Sequence, residues 1–379
     1  MKRKVMTVIG TRPELIKMSA VIAKLDEAFE HVLVHTGQNY DYELNQIFFD
    51  DLGIRRPDHF LEAAADSPAA TIAQVIARSD AIFDNERPEA LLIYGDTNSG
   101  LCVIPAKRKK IPVFHMEAGN RCFDQRVPEE LNRKVIDHLS DVNMVLTEHA
   151  RRYLLAEGLP ADRIFKVGSH LDEVLRLYAN KIGRSTVLET LGLAPDAYLV
   201  VSLHREENVD APEKLAQLVE TVGALSRDHG LPVIVSAHPR TRARLETTGL
   251  QMGSAAVRLL PPFAYTDYVR LQQEAYCVIS DSGTITEEAA LLGLPAVSVR
   301  DAHERAEGVD GGTLVFSSAS AERVLEAVRL VRLAYDPAYR RPCNVPDYLA
   351  PHASDTIVRI VASYIDIVND TVWRKPRPS

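Results

Sequence analysis

The stretch KVMTVIGTRPELIK, residues 4–17, decides how the chain is read. An apolar run rich in β-branched residues ends at Gly10, which allows a tight bend, and Pro13 stands where a first helical turn begins. A buried strand feeding directly into a helix is the opening half of a parallel α/β unit. Arg12 and Lys17 fall near the positive end of that helix, where anions are favoured. The same residues also suit a capped helix with solvated basic side chains, and both readings stand from this motif alone. A GxGxxG spacing is missing, so a dinucleotide site of the familiar kind is not supported.

The pattern repeats along the chain. Short apolar runs predict strands at 4–10, 31–37, 90–96, 111–117, 143–147 and 164–168, then at 198–204, 231–237, 257–262, 276–282, 295–301 and 313–317. They show little alternation, as sheets covered on both faces require. Between the two sets, NKIGRSTVLETLGLAPDA (180–197) carries Gly, Ser and Pro around a short helix and reads as a crossover. The expected organisation is a Rossmann-like N-terminal domain over 1–175 and a Rossmann-like C-terminal domain over 190–350, with a helix over 353–372. That helix shows Ile357, Ile360, Val361, Tyr364 and Ile365 at three- and four-residue spacing, and packs back on the first domain.

Composition limits the function classes. With 379 residues, 46% hydrophobic and 25% charged, the chain fits two ordinary folded domains. A net charge of −8 without long basic runs argues against nucleic acid as a partner. No stretch approaches the roughly twenty apolar residues that cross a bilayer, so no membrane role and a cytoplasmic location are expected. The four cysteines are scattered, with no metal-binding spacing, and read as reduced thiols.

In doubly wound sheets ligands bind beyond the carboxyl ends of strands, and polar residues cluster at these ends here. Asp96, in YGDTNSG (94–100), is either an N-cap or a catalytic group. HMEAGNRCFDQRVPEELNR (115–133) places Glu117, Arg121, Asp124, Arg126, Glu129, Glu130 and Arg133 at one strand edge and helix start. Acidic residues in a first helical turn fit the macrodipole alone, but not every charge here is covered by that account. SLHREENVD (202–210) and AHPRTRAR (237–244) add His204 and His238 at strand ends. ISDSGTITEEAALLGLP (279–295) runs a strand into Ser282 and Gly283, with Glu288 about a turn and a half into the helix. That layout suits a diphosphate and a ribose, or a plain Ser-capped helix.

Taken together, GTRPELIK, GDTNS, HMEAGNR, PEELNR, HREEN, SDSGTITEEA and RDAHERAEG resemble, in order and over nearly the whole chain, the non-hydrolysing UDP-N-acetylglucosamine 2-epimerase family. HTGQNYDYELNQIFFDDLGI and HMEAGNRCFDQRVPEELNRK are most similar to the branch that makes UDP-N-acetyl-L-fucosamine from UDP-2-acetamido-2,6-dideoxy-L-talose. The resemblance implies a GT-B-like α/β fold, two Rossmann-like doubly wound domains with the active site in the cleft between them, and a homodimer. It implies a UDP-sugar substrate and no metal or redox cofactor. The chemistry is anti elimination of UDP across C1 and C2, then re-addition with C2 protonated on the opposite face. Proton transfer on both faces calls for two differently placed acid/base groups, and the departing diphosphate calls for Arg, His or a helix N-terminus.

By this resemblance Asp96, Glu117 and Glu129 are the acid/base carboxylates, Glu129 being the first Glu after Pro. His204 assists departure and return of UDP, and Lys17 and Arg133 support the charged site. Arg12, Ser282, Gly283, Glu288 and Arg305 hold the nucleotide, with His238 and Tyr268 close by. QNYDYE (38–43) departs from the Gln-His and Met-Arg pattern of members activated by their own substrate. The loop between Glu117 and Glu129 is short, with CFDQRV in place of an aromatic-rich sequence. The pair after Ser282 is Gly-Thr where many members have Gly-Gly. Within the family the alternative reaction interconverts UDP-GlcNAc and UDP-ManNAc; a GT-B glycosyltransferase would share the fold and need an acceptor.

Overall fold

Every apolar run picked out above forms a strand in the computed structural model, which describes residues 2–37, 49–202, 212–237, 239–248, 250, 254–300, 302–336 and 343–375. The first set gives β1 (Lys4–Ile9), β2 (Glu30–His35), β4 (Ala90–Tyr94), β5 (Val113–Ala118), β6 (Val142–Val145) and β7 (Ile164–Lys166). One two-residue strand, β3 (His59–Phe60), is additional; it extends the edge beside β2, and Phe60 stacks on His35 at 5.1 Å. The second set gives β8 (Leu199–Ser202), β9 (Val233–Ser236), β10 (Val257–Leu260), β11 (Cys277–Ser280), β12 (Ala296–Val299) and β13 (Val315–Ser317).

All described strand pairs are parallel. The orders are β3-β2-β1-β4-β5-β6-β7 and β10-β9-β8-β11-β12-β13. Each sheet therefore reverses its winding once, at β1/β4 and at β8/β11. At such a switch point the loops leave toward opposite faces and open a crevice at the carboxyl edge. β4, β6, β11 and β12 are buried along their whole length, which explains their continuous apolar runs.

The chain divides into one unit of Met1–Leu177 with Asp347–Ser379 and a second of Tyr178–Pro346. The return segment joins the first unit through the helix Ala353–Thr371, which packs on the helices Arg12–Ala28 and His170–Leu177. Its buried stripe is Ile357, Val361, Ile365 and Val368, all fully inaccessible. Ile360 and Tyr364 lie at the margin, Tyr364 edge-on to Phe165. Polar ties fix the register: Ser354 donates to Glu173 from its N–H at 2.7 Å and its hydroxyl at 2.6 Å, and Arg3 grips Asp366 at 2.6 and 2.8 Å. Among the described residues no helix is long and apolar enough to cross a membrane.

Gly10 serves a different purpose from the bend expected of it. Its φ is not positive; what it supplies is room. A Cβ here would lie 2.0 Å from Ser99 Oγ and 2.3 Å from Thr36 Oγ1, two hydroxyls hydrogen-bonded to each other at 2.8 Å. Three carboxyl ends, after β1, β2 and β4, thus meet in a space one methyl group too small for alanine. Gly10→Ala is expected to cost roughly 1–3 kcal/mol through overpacking. The check is urea unfolding, where the midpoint should fall with the slope held; an unshifted midpoint would show that the strand ends can part.

Candidate active site

Glu14, three residues beyond Thr11, turns back over the end of β1. One carboxylate oxygen accepts from the N–H groups of Gly10 (2.5 Å) and Thr11 (3.1 Å), the other from the Thr97 hydroxyl (2.6 Å). It therefore caps the helix Arg12–Ala28 and also ties the ends of β1 and β4 across the switch point. Thr97, not Asp96, caps the short turn that follows, accepting from the Ser99 N–H at 3.3 Å. Asp96 is left facing the helix Pro128–Leu139. There its Oδ2 accepts from Arg133 Nε at 2.8 Å and Nη2 at 2.7 Å. Asn132 Nδ2 donates to the Asp96 carbonyl at 3.0 Å, fixing the backbone beneath it.

Glu117 stands at the next strand end in a left-handed conformation, φ +59°, where β5 slips register against β6 between Met116 and Ala118. Such a conformation is costly for a residue with a side chain and persists only where its surroundings enforce it. Gly119 follows at φ +82°; a Cβ there would lie 2.6 Å from the Ala150 carbonyl oxygen. The Glu117 carboxylate accepts from Lys17 Nζ at 2.7 Å and from the Tyr94 hydroxyl. Lys17 is only 3% exposed and lies 5.8 Å from the Tyr94 ring centroid. Lys17, from the second turn of its helix, thus reaches a carboxylate one hundred residues away.

The remaining charges of 115–133 separate by role. Glu130 is fully buried. It accepts from the N–H groups of Cys122 and Phe123, both at 3.1 Å, and from Arg133 Nη1 at 2.9 Å. Burial alone would raise its carboxyl, but the Cys122 N–H and Arg133 outweigh that and hold it below the usual range. Glu129 is half-exposed. Arg121 is buried in ion pairs with Asp137 and Glu157 at 2.7 and 2.6 Å, and Asp124 and Arg126 form a local pair at 2.7 Å.

In the second unit Ser282 and Gly283 follow β11 at the β8/β11 switch point. The helix starts later than the sequence suggested, at Ile285 with Thr284 as N-cap, so Glu288 lies in its first turn rather than beyond it. Ser282 is engaged within the turn: its N–H donates to Ser280 Oγ at 3.0 Å, and its hydroxyl meets Thr284 Oγ1 at 2.9 Å. Glu288 accepts from Gln272 Nε2 at 2.6 Å. Arg305 is 2% exposed; its Nε donates to the Gly283 carbonyl at 3.1 Å and its Nη2 meets Glu287 at 3.0 Å. It thus braces the turn from behind. Tyr268 is half-buried against the apolar layer, and Arg12 is half-buried at its helix start. His204, His238 and the stretch 38–43 lie outside the described residues.

Sequence reading missed Glu14 and Tyr94. Glu14 carries a visible signal, the Thr-x-x-Glu capping spacing. Tyr94 was visible only as the last residue of a buried strand.

Burial pushes the Glu14 carboxyl up to about 7, with the Asp96 charge adding to the rise and the Thr97, Gly10 and Thr11 donors opposing it. The folded state then keeps a proton that the unfolded chain, near 4.5, has released. Stability from this residue is full below about 4.5 and falls as pH rises to about 7. The gap corresponds to on the order of 3 kcal/mol. Glu14→Gln, with no proton to lose, should gain on the parent protein by about that much between pH 4 and 8 in urea unfolding; parallel stability curves would refute it.

A family model described as UDP-N-acetylglucosamine 2-epimerase matches residues 23–362. A solved structure of UDP-N-acetylglucosamine 2-epimerase from Rickettsia bellii is 53% identical, covers 99% of this chain and 100% of its own, and superposes with a TM-score of 0.92. That of Methanocaldococcus jannaschii, in complex with UDP-GlcNAc and UDP, is 30% identical with a TM-score of 0.88, covering 95% of this chain and 99% of its own. The UDP-2,3-diacetamido-2,3-dideoxy-D-glucuronate 2-epimerase of Pseudomonas aeruginosa is 33% identical over 86% of this chain and 91% of its own length. With two parallel-sheet α/β units of GT-B-like fold and a family match spanning most of its length, the chain belongs to the UDP-N-acetylglucosamine 2-epimerase family of isomerases.

Proposed function

We propose that this protein inverts C2 of a UDP-2-acetamido sugar by eliminating and re-adding UDP, and that its substrate is UDP-2-acetamido-2,6-dideoxy-L-talose, giving UDP-N-acetyl-L-fucosamine for surface polysaccharide. The observation that carries the epimerase reading is a pair of carboxylates at neighbouring strand ends, each with its own cation: Asp96 with Arg133 and Glu117 with Lys17. Inversion through a planar intermediate needs proton transfer on two faces, and a single carboxylate serves only one.

One carboxylate removes the C2 proton as the C1–O bond to UDP breaks on the opposite side, leaving a 2-acetamidoglycal. A second acid delivers a proton to the other face of C2 as the UDP oxygen re-forms its bond to C1. Asp96, Glu117 and Glu129 fill these roles. Lys17 and Arg133 balance the charge, and His204 assists UDP in leaving and returning. Arg12, Ser282, Gly283 and Glu288 hold the nucleotide with His238 and Tyr268 nearby, while Arg305 acts on it through the Gly283 turn it braces. The choice of a 6-deoxy sugar rests on the short CFDQRV loop and its likeness to the fucosamine-forming branch. The protein works as a cytoplasmic homodimer, which light scattering of the purified chain checks.

In deuterated water the recovered sugar nucleotides should carry one deuterium at C2, and Glu117→Gln should lose about 10²–10⁴-fold in kcat. No label at C2 sinks the epimerase reading. Activity on UDP-GlcNAc, with none on the 6-deoxy-talose substrate, rejects the narrower assignment.

A further inference from the structure

His115 lies two residues before Glu117, and its ring is 1% exposed. Its Nδ1 is 2.8 Å from Asp137 Oδ1, and its Nε2 is 2.8 Å from the carbonyl oxygen of Gly95, the residue before Asp96. Asp137, fully buried in the helix Pro128–Leu139, also accepts from the Gly119 N–H at 3.2 Å and from Arg121 Nη1 at 2.7 Å. Arg121 in turn binds Glu157 through Nε at 2.7 Å and Nη2 at 2.6 Å.

A neutral imidazole donates from one nitrogen only. Here one nitrogen faces a carbonyl and the other a carboxylate that already receives an arginine and a backbone N–H. The nitrogen on the carbonyl, Nε2, must then be one that donates, while Nδ1 stands within hydrogen-bond distance of the carboxylate. Arg121 pairs with both Asp137 and Glu157, which accounts for a cation so deeply buried.

The connections matter more than the charge. Asp137 takes hold of the chain on both sides of Glu117, at residues 115, 119 and 121, and so enforces its left-handed backbone. Through the same ring, the carbonyl preceding Asp96 is held in register with that turn. We infer that the His115–Asp137 pair is a positioning device for the epimerisation, holding the backbones of Asp96 and Glu117 in one fixed relation so that two carboxylates meet one carbon from two sides. This rests on the roles proposed above for those carboxylates. Both side chains are buried away from the surface, so their loss should show in the chemical step and not in substrate binding.

His115→Gln can donate to only one of the two acceptors, and Asp137→Asn cannot receive all of its donors. Variants that stay folded by circular dichroism should lose about 10²-fold in kcat with KM within about threefold of the parent value. Wash-in of solvent deuterium at C2 should fall in step with kcat. Independently of activity, nitrogen-15 histidine spectra of the parent protein should contain a ring Nε2–H protected from solvent exchange by the Gly95 carbonyl, absent from His115→Gln and perturbed in Asp137→Asn. Folded variants with near-parental kcat, or with KM raised and kcat unchanged, overturn the inference while leaving the epimerase reading intact. So does a parent protein in which no histidine Nε2–H is protected from solvent exchange, even if neither variant folds. A parent protein inactive on every UDP-2-acetamido sugar overturns both.

Discussion

Parallel strands all end on the same edge, and this geometry governs the rest of the molecule. At the β1/β4 switch point it brings the ends of β1, β2 and β4 within one methyl group of each other, which is why Gly10 must be glycine. Any charged group needed by a ligand then stands over a core that cannot solvate it. The first unit meets that demand by pairing its charges locally: Lys17 with Glu117, Arg133 with Asp96 and Glu130, Arg121 with Asp137 and Glu157. Burying half of any such pair would be far more costly than burying the whole.

Much of this was legible in the sequence. The strands of both sheets are continuous β-branched runs because both faces are covered, and such runs survive without knowledge of tertiary structure. β3 did not show, since two residues carry no period and His59–Phe60 is a strand only because β2 offers it an edge. The polar residues at strand ends were visible as a set, but not their partners. Lys17 and Glu117 are 100 residues apart and Thr97 and Glu14 are 83 apart, and no local pattern encodes either pairing. None of Glu14, His115 and Asp137 stood among the candidate site residues. Each proved to be a buried acceptor or donor.

The two units carry the same architecture to different ends. In the first, the carboxyl edge is built from paired charges on rigid strand ends and one helix. In the second, small residues and hydroxyls form the turn after β11, and Arg305 with Glu287 supports it from behind.

The return of residues 347–379 to the first unit bears on how the chain is made. β1 leaves the ribosome well before the helix Ala353–Thr371, so the helix Arg12–Ala28 stays uncovered on the face that Ile357, Val361, Ile365 and Val368 will occupy. The second unit is contiguous in sequence and has all its strands long before then. The first unit is therefore completed after the second, and a chain that stops before Ala353 would carry a finished second unit and an open first one.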